Sequence, residues 1–296
     1  MLPRLRRAAV RKLPLGLTVR GEEGRLETGR KFVIFTGGRC GSTAVAAELA
    51  NHPRIICYGE LFRRASETRP DFRENYEKFG VDFFSPDEKQ FIRYAIYAEQ
   101  HLSHLGCAES AYHSLYLRYL SERADGFRPG AAIGFKLLYR HPARETGLLE
   151  TLKEEGFAFL HLTRRNIVRQ TISGMIAKKR GFYNKKNWDM PSERFHLDIE
   201  NFKTKLRSKR KRLRKNTKLL QDTKVDFIEI YYEDYARDRT SFLAPIFSFL
   251  GVDNRTVPPS DWSVMTGRDL RNIIENYDDL RQATKALNLE EMLETA

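Results

Sequence analysis

Cysteine is scarce in this chain: Cys40, Cys57 and Cys107 are the three, with no paired spacing and no C-x-x-C. That excludes a disulfide framework and the usual zinc patterns, and a sparse, odd count fits a reducing, cytoplasmic setting. No apolar run approaches the ~20 residues that cross a bilayer. The apolar core of a secretory signal is also missing. Residues 1–20 are instead basic and free of acid, which suits a solvated terminus, a transit segment or peripheral contact with a membrane surface. No internal repeat or low-complexity linker stands out. Acid is missing again between Lys203 and Lys218, where lysine and arginine crowd one segment.

What is present fits a globular α/β protein. Hydrophobic residues make up 41% of the 296 and charged residues 31%, neither disordered nor membranous in composition. The net charge of +13 points to an anionic partner: a nucleotide, an acidic glycan or glycolipid, a membrane surface or nucleic acid. The expected organisation is a basic, partly disordered segment over 1–30. One α/β domain then covers 31–296, with helical insertions at about 63–130 and 182–221. A homodimer stays open.

The apolar run Phe32-Val33-Ile34-Phe35 ends in Thr36-Gly37-Gly38-Arg39-Cys40-Gly41-Ser42-Thr43 and then a helix-like segment, Ala44 to Ala50. A strand, a Gly-rich turn and a helix N-terminus make an anion site, because backbone N–H groups and the helix dipole converge there. Arg39 adds a full charge, Ser42 and Thr43 add hydroxyls. The ATP-type loop G-x-x-x-x-G-K-[ST] carries a Lys; here Ser42 stands in its place. A thiolate at Cys40 would repel an anion, so Cys40 reads as a spectator that supplies a backbone N–H.

About 120 residues on, Gly156 to Thr163 reads as a buried strand. Arg164-Arg165-Asn166 and a helix over Ile167 to Lys179 follow. Arg165 and Ser173 stand eight residues apart, with Arg164 as the register alternative. Two cations at a helix start oppose its dipole, and an anion would relieve that conflict.

Together these stretches resemble the sulfotransferases that use 3′-phosphoadenosine 5′-phosphosulfate, of the carbohydrate and bacterial type. Arg39 to Thr43 is similar to their R-x-G-S-[ST] phosphosulfate loop. Arg165 with Ser173 has the spacing of their 3′-phosphate pair. The resemblance covers about 31–285. It implies a P-loop-like three-layer α/β/α fold with a mostly parallel sheet, transfer of a sulfuryl group to an acceptor hydroxyl, and no metal. It places the 5′-phosphosulfate on Gly38, Arg39, Cys40, Gly41, Ser42 and Thr43.

Asn51-His52-Pro53 and a short strand ending at Gly59-Glu60 also resemble that branch, where the Glu is the general base; that residue here is Glu60. Lys136, in the strand-like run Ile133 to Leu138, is a candidate for steadying charge as the sulfuryl group leaves. His141 is the second candidate base, with the start of a helix at His141-Pro142 as its plainer reading. Val225 to Tyr235 and Phe242 to Val252 resemble the family's strand, turn and late helix. Asn276-Tyr277-Asp278-Asp279-Leu280, preceded by Arg268 and Arg271, resembles its tail.

Further helices are expected over Ser85 to about His104, Ala108 to Arg123, 143–155 and 191–221. In the last, Phe202, Leu206, Leu213 and Leu220 recur near a seven-residue spacing, which suits one buried stripe with the basic residues outward. Few aromatics interleave with them, so nucleic acid is disfavoured. Gly181 to Met190 reads as a lid or acceptor loop. The rival readings are a P-loop kinase or NTPase, and a non-enzymatic basic module for anionic polymer.

Overall fold

The computed structural model describes residues 29–62, Tyr94, Ala98, 109–181, Tyr183, 193–262 and 269–294. Its centre is a sheet of five parallel strands: β1 Lys31–Thr36, β2 Ile55–Glu60, β3 Ala132–Leu138, β4 Ala158–Thr163 and β5 Phe227–Tyr231, in the order β2-β3-β1-β4-β5. β3 and β4 are buried along their whole length. Helices cover both faces, which is why these strands read as near-continuous apolar runs.

The helices among the described residues are α1 Ser42–Ala50, α2 Glu109–Phe127, α3 Leu148–Glu154, α4 Ile167–Arg180, α5 Ile199–Thr223, α6 Tyr232–Arg237, α7 Arg239–Leu250, α8 Tyr277–Lys285 and α9 Glu291–Glu294. Val33, Phe35, Phe135 and Leu137 pack one face of the sheet against α2 and α3. Phe32, Ile34, Leu160 and Leu162 pack the other against α1 and α7. A third cluster joins α4 and α5, with Phe202 and Leu206 against Ile172 and Ile176. This is the expected three-layer α/β/α arrangement.

The strand order reverses at β1. The chain runs outward to β2, returns through β3, then crosses to β4 and β5. In open α/β sheets the crevice at the carboxyl ends of such strands takes the ligand. The Gly-rich loop emerges there, at the end of β1.

Several elements differ in length from expectation. The helix expected from 143 begins at Leu148, because His141 to Gly147 form turns and Gly147, with φ 76°, caps the helix. α2 runs to Phe127 instead of stopping at Arg123. Asp226 lies just before β5, and Glu229 fits within it because β5 is the sheet edge, where Glu229 stays exposed. Residues 1–28, most of the helix expected over Ser85 to His104, Cys107, Arg268 and the loop Gly181 to Met190 apart from Gly181 and Tyr183 lie outside the described residues. Among the described residues no helix is long and apolar enough to cross a membrane.

Candidate active site

The loop after β1 is shaped by two left-handed residues. Arg39 has φ 70° and Gly41 φ 72°, and alternation of this kind turns successive N–H groups to one side. A non-glycine residue in this region is uncommon and costs energy, so strain is stored at Arg39. Gly41 has no substitute: a Cβ there would stand 2.6 Å from the Tyr232 ring. α1 starts at this point with no side-chain cap and no acid in its first turn. Its leading N–H groups are therefore left for an anion.

Gln170 on α4 fixes the loop from below, donating to the Gly38 carbonyl at 2.8 Å and to Cys40 Sγ at 2.9 Å. Burial pushes the Cys40 thiol up, so it is held as a neutral thiol. Arg39 Nε donates to Ser173 Oγ at 3.1 Å, and its terminal nitrogen bonds the Tyr183 carbonyl. Burial, then the charge of Arg164, brings the Arg39 guanidinium down to about 10. It is still a cation at neutral pH.

The two arginines after β4 face different ways. Arg164 packs under the loop, over the Tyr232 ring at 4.4 Å and toward the Arg39 carbonyl at 3.4 Å. Arg165 points outward, with half its side chain exposed, pairs with Asp234 at 3.1 Å and lies over Tyr231 at 3.7 Å. Ser173 is buried and takes its hydrogen bond from Arg39. Arg165 and Ser173 thus have different partners here.

A second cluster forms where β2 meets β3. Regular alternation would put Glu60 on the face of Ile56 and Tyr58, toward α2. The register shifts between Tyr58 and Glu60, so that Glu60 pairs with Lys136. A one-residue bulge flips every later side chain to the other face. Glu60 therefore meets Lys136 on the α1 side, with Nζ 2.9 Å from Oε1. Lys136 also donates to Thr43 Oγ1 at 3.0 Å, tying this pair to the loop. Arg140 lies 3.5 Å and His141 3.9 Å from Glu60 Oε2. Burial alone would raise Glu60. The charges of Lys136, His141 and Arg140, with the Lys136 hydrogen bond, override it and hold the carboxyl at about 2.

His141 is buried in a turn, and its Nδ1 accepts from the Leu138 N–H at 3.2 Å. In the neutral ring that leaves the proton on Nε2, the nitrogen facing Glu60.

Sequence reasoning missed three site residues: Arg140, Gln170 and Lys209. Lys209 was expected on the outward face of the basic helix. It instead lines a pocket beside Gly37, Gly38, Cys40 and Arg164. The signal was the stripe itself, since Phe202, Lys209 and Asn216 share its seven-residue spacing.

The model of the family described as "Sulfotransferase family" matches residues 32–256. The chain belongs to the sulfotransferase family. It is thus an enzyme, and the kinase and binding-module readings fall away. Among solved structures it is similar to a sulfotransferase from Alicyclobacillus acidocaldarius, at 17% identity over 90% of this chain and 96% of that one, with a TM-score of 0.41. It is also similar to the sulfotransferase domain of the Synechococcus PCC 7002 olefin synthase, at 17% identity over 79% and 78% of the two chains, TM-score 0.48. A third is the sulfotransferase domain from the curacin biosynthetic pathway, at 15% identity over 77% and 75%, TM-score 0.48. No curated protein matches the chain in sequence. Among the described residues this sulfotransferase holds no group of His, Cys, Asp and Glu suited to a metal ion.

Proposed function

We propose that this sulfotransferase takes a sulfuryl group from 3′-phosphoadenosine 5′-phosphosulfate and places it on an acceptor hydroxyl. The observation that carries the reading is the junction of the uncapped, cation-bearing loop with the Glu60–Lys136 pair through Thr43. An anion cradle and a carboxylate base meet at one end of the sheet.

The residues fit such a donor. The N–H groups of Gly38 to Thr43, with Arg39, would hold its phosphosulfate. Arg165 and Ser173 would hold the 3′-phosphate, Arg165 by exchanging Asp234 for it; a guanidinium suits phosphate as well as carboxylate. Bound, the donor supplies the sulfuryl group and departs as the bisphosphate. Such transfers need positioning and charge neutralisation more than covalent help.

Lys136 neutralises charge developing at the loop. Glu60 accepts the proton of the acceptor hydroxyl. A carboxylate held at about 2 is a weak base, so its partner matters. Any movement of Lys136 toward the loop loosens its hold on Glu60 and raises the carboxylate's basicity. His141 keeps Nε2–H toward Glu60 and orients it. The acceptor would be a hydroxyl on a glycan, glycolipid or small metabolite. The exposed basic side of α5 suits an anionic one.

The test is transfer of radiolabelled sulfuryl from the donor to a panel of hydroxyl compounds. Labelled product from wild type and none from Glu60→Gln supports the reading. A panel of glycans, glycolipids and metabolites that stays unlabelled counts against it.

A further inference from the structure

Helix α5 carries a lysine where its own periodicity calls for an apolar residue. Lys209 falls midway in the series Phe202, Lys209, Asn216, whose other two members are buried. The helix therefore turns it inward, and Lys209 and Arg212 line an open pocket with Gly38, Cys40 and Arg164. The pocket lies over the ends of β1 and β4, beside the Gly-rich loop. Among the described residues no carboxylate pairs with Lys209 or Arg212. Arg212 is itself exposed, at the pocket's rim, whereas the equally exposed Arg207, Arg210, Lys211, Arg214 and Lys215 do not line it.

An inward lysine without an acid is costly in the free protein. Burial, partly offset by Cys40, brings its ammonium down to about 8, and Arg212, Arg39 and Lys205 push the same way. Tyr139 and Arg164 also line its surroundings, and neither is an anion at neutral pH. Cations that repel one another around a helix N-terminus are stabilised when an anion sits among them.

We propose that Lys209 and Arg212 are donor-binding residues, so that α5 supplies two of the cations holding a phosphate of the nucleotide donor. The inference rests on the donor assigned above.

Calorimetry with adenosine 3′,5′-bisphosphate and adenosine 5′-phosphate, on wild type, Lys209→Gln, Arg212→Gln and Lys211→Gln, tests it. Removing a charged hydrogen-bond donor should weaken bisphosphate binding about tenfold to a hundredfold at Lys209 and about fivefold or more at Arg212. Lys211→Gln should change it less than about twofold. Ligand-free Lys209→Gln should melt no lower than wild type, because the change removes a repelled, desolvated charge. A loss confined to the bisphosphate places Lys209 on the 3′-phosphate, and an equal loss with both ligands places it on the 5′ group; either supports the proposal. Wild-type affinity in Lys209→Gln overturns it while leaving the donor reading intact. Weaker binding with a lowered melting temperature, not rescued by Lys209→Arg, makes the residue structural and also overturns it. Wild type that binds neither nucleotide overturns both readings.

Discussion

Lys136 Nζ lies 2.9 Å from Glu60 Oε1, across a strand pair that meets only because β2 bulges one residue earlier. The same ammonium reaches Thr43 at 3.0 Å, so one charge bridges the Glu60 carboxylate and the loop. Lys136→Met should lower kcat by roughly 10²–10³, the scale of one preorganised donor to developing charge. Steady-state kinetics with saturating donor reads this; a fall in kcat under about threefold would remove Lys136 from the chemistry.

Glu60→Gln separates binding from chemistry. Loss of a general base costs roughly 10²–10⁴ in rate, while bisphosphate affinity should stay within about threefold. Transfer at the wild-type rate would dismiss Glu60 as the base.

Glu60 also predicts an acid limit to stability. Its folded pKa of about 2 lies below the usual 4.5, so its contribution is complete above about 4.5 and is lost as the pH falls toward 2. A shift of this size corresponds to something on the order of 3 kcal/mol. Urea melts at pH 6, 4 and 3 should show wild type losing stability over that window. Glu60→Gln should be less stable at pH 6 and lose less on acidification. Parallel curves for the two proteins would contradict the ion-pair assignment.

Arg165 and Asp234 make opposite predictions. Arg165→Ala should weaken bisphosphate binding by roughly 1.5–3 kcal/mol with little change in melting temperature, because its pair is largely exposed. Asp234→Ala should free Arg165 and tighten binding. Weaker binding in Asp234→Ala would show that the pair itself, and not Arg165 alone, is what the site uses.

Gly41→Ala tests the loop's shape. The added Cβ meets the Tyr232 ring at 2.6 Å in a left-handed backbone. The cost should be roughly 1–3 kcal/mol of stability, together with loss of bisphosphate binding. A variant as stable and as tight as wild type would mean the loop can change conformation freely.

Much of this was legible in sequence because it rests on local chemistry. A strand, three glycines, an arginine and a helix start can fold few ways, and Arg39 to Thr43 sit where that pattern puts them. The parallel sheet followed from strands alternating with helices. What sequence hid was register. Alternation along β2 gives no hint that a bulge at Gly59 turns Glu60 onto the face of Lys136. Lys209 was hidden differently: its charge argued for solvent while the period of Phe202 and Leu206 argued for burial, and the period decided. The outward turn of Arg165 was equally invisible, since Asp234 lies 69 residues away in the chain.

In the proposed function the site grips a nucleotide by both of its anionic ends. The most direct measurement is calorimetric titration of wild type with adenosine 3′,5′-bisphosphate and with adenosine 5′-phosphate. The bisphosphate should bind at least about tenfold tighter, one charge-assisted contact's worth. Equal affinities, or no binding of the bisphosphate, would contradict it.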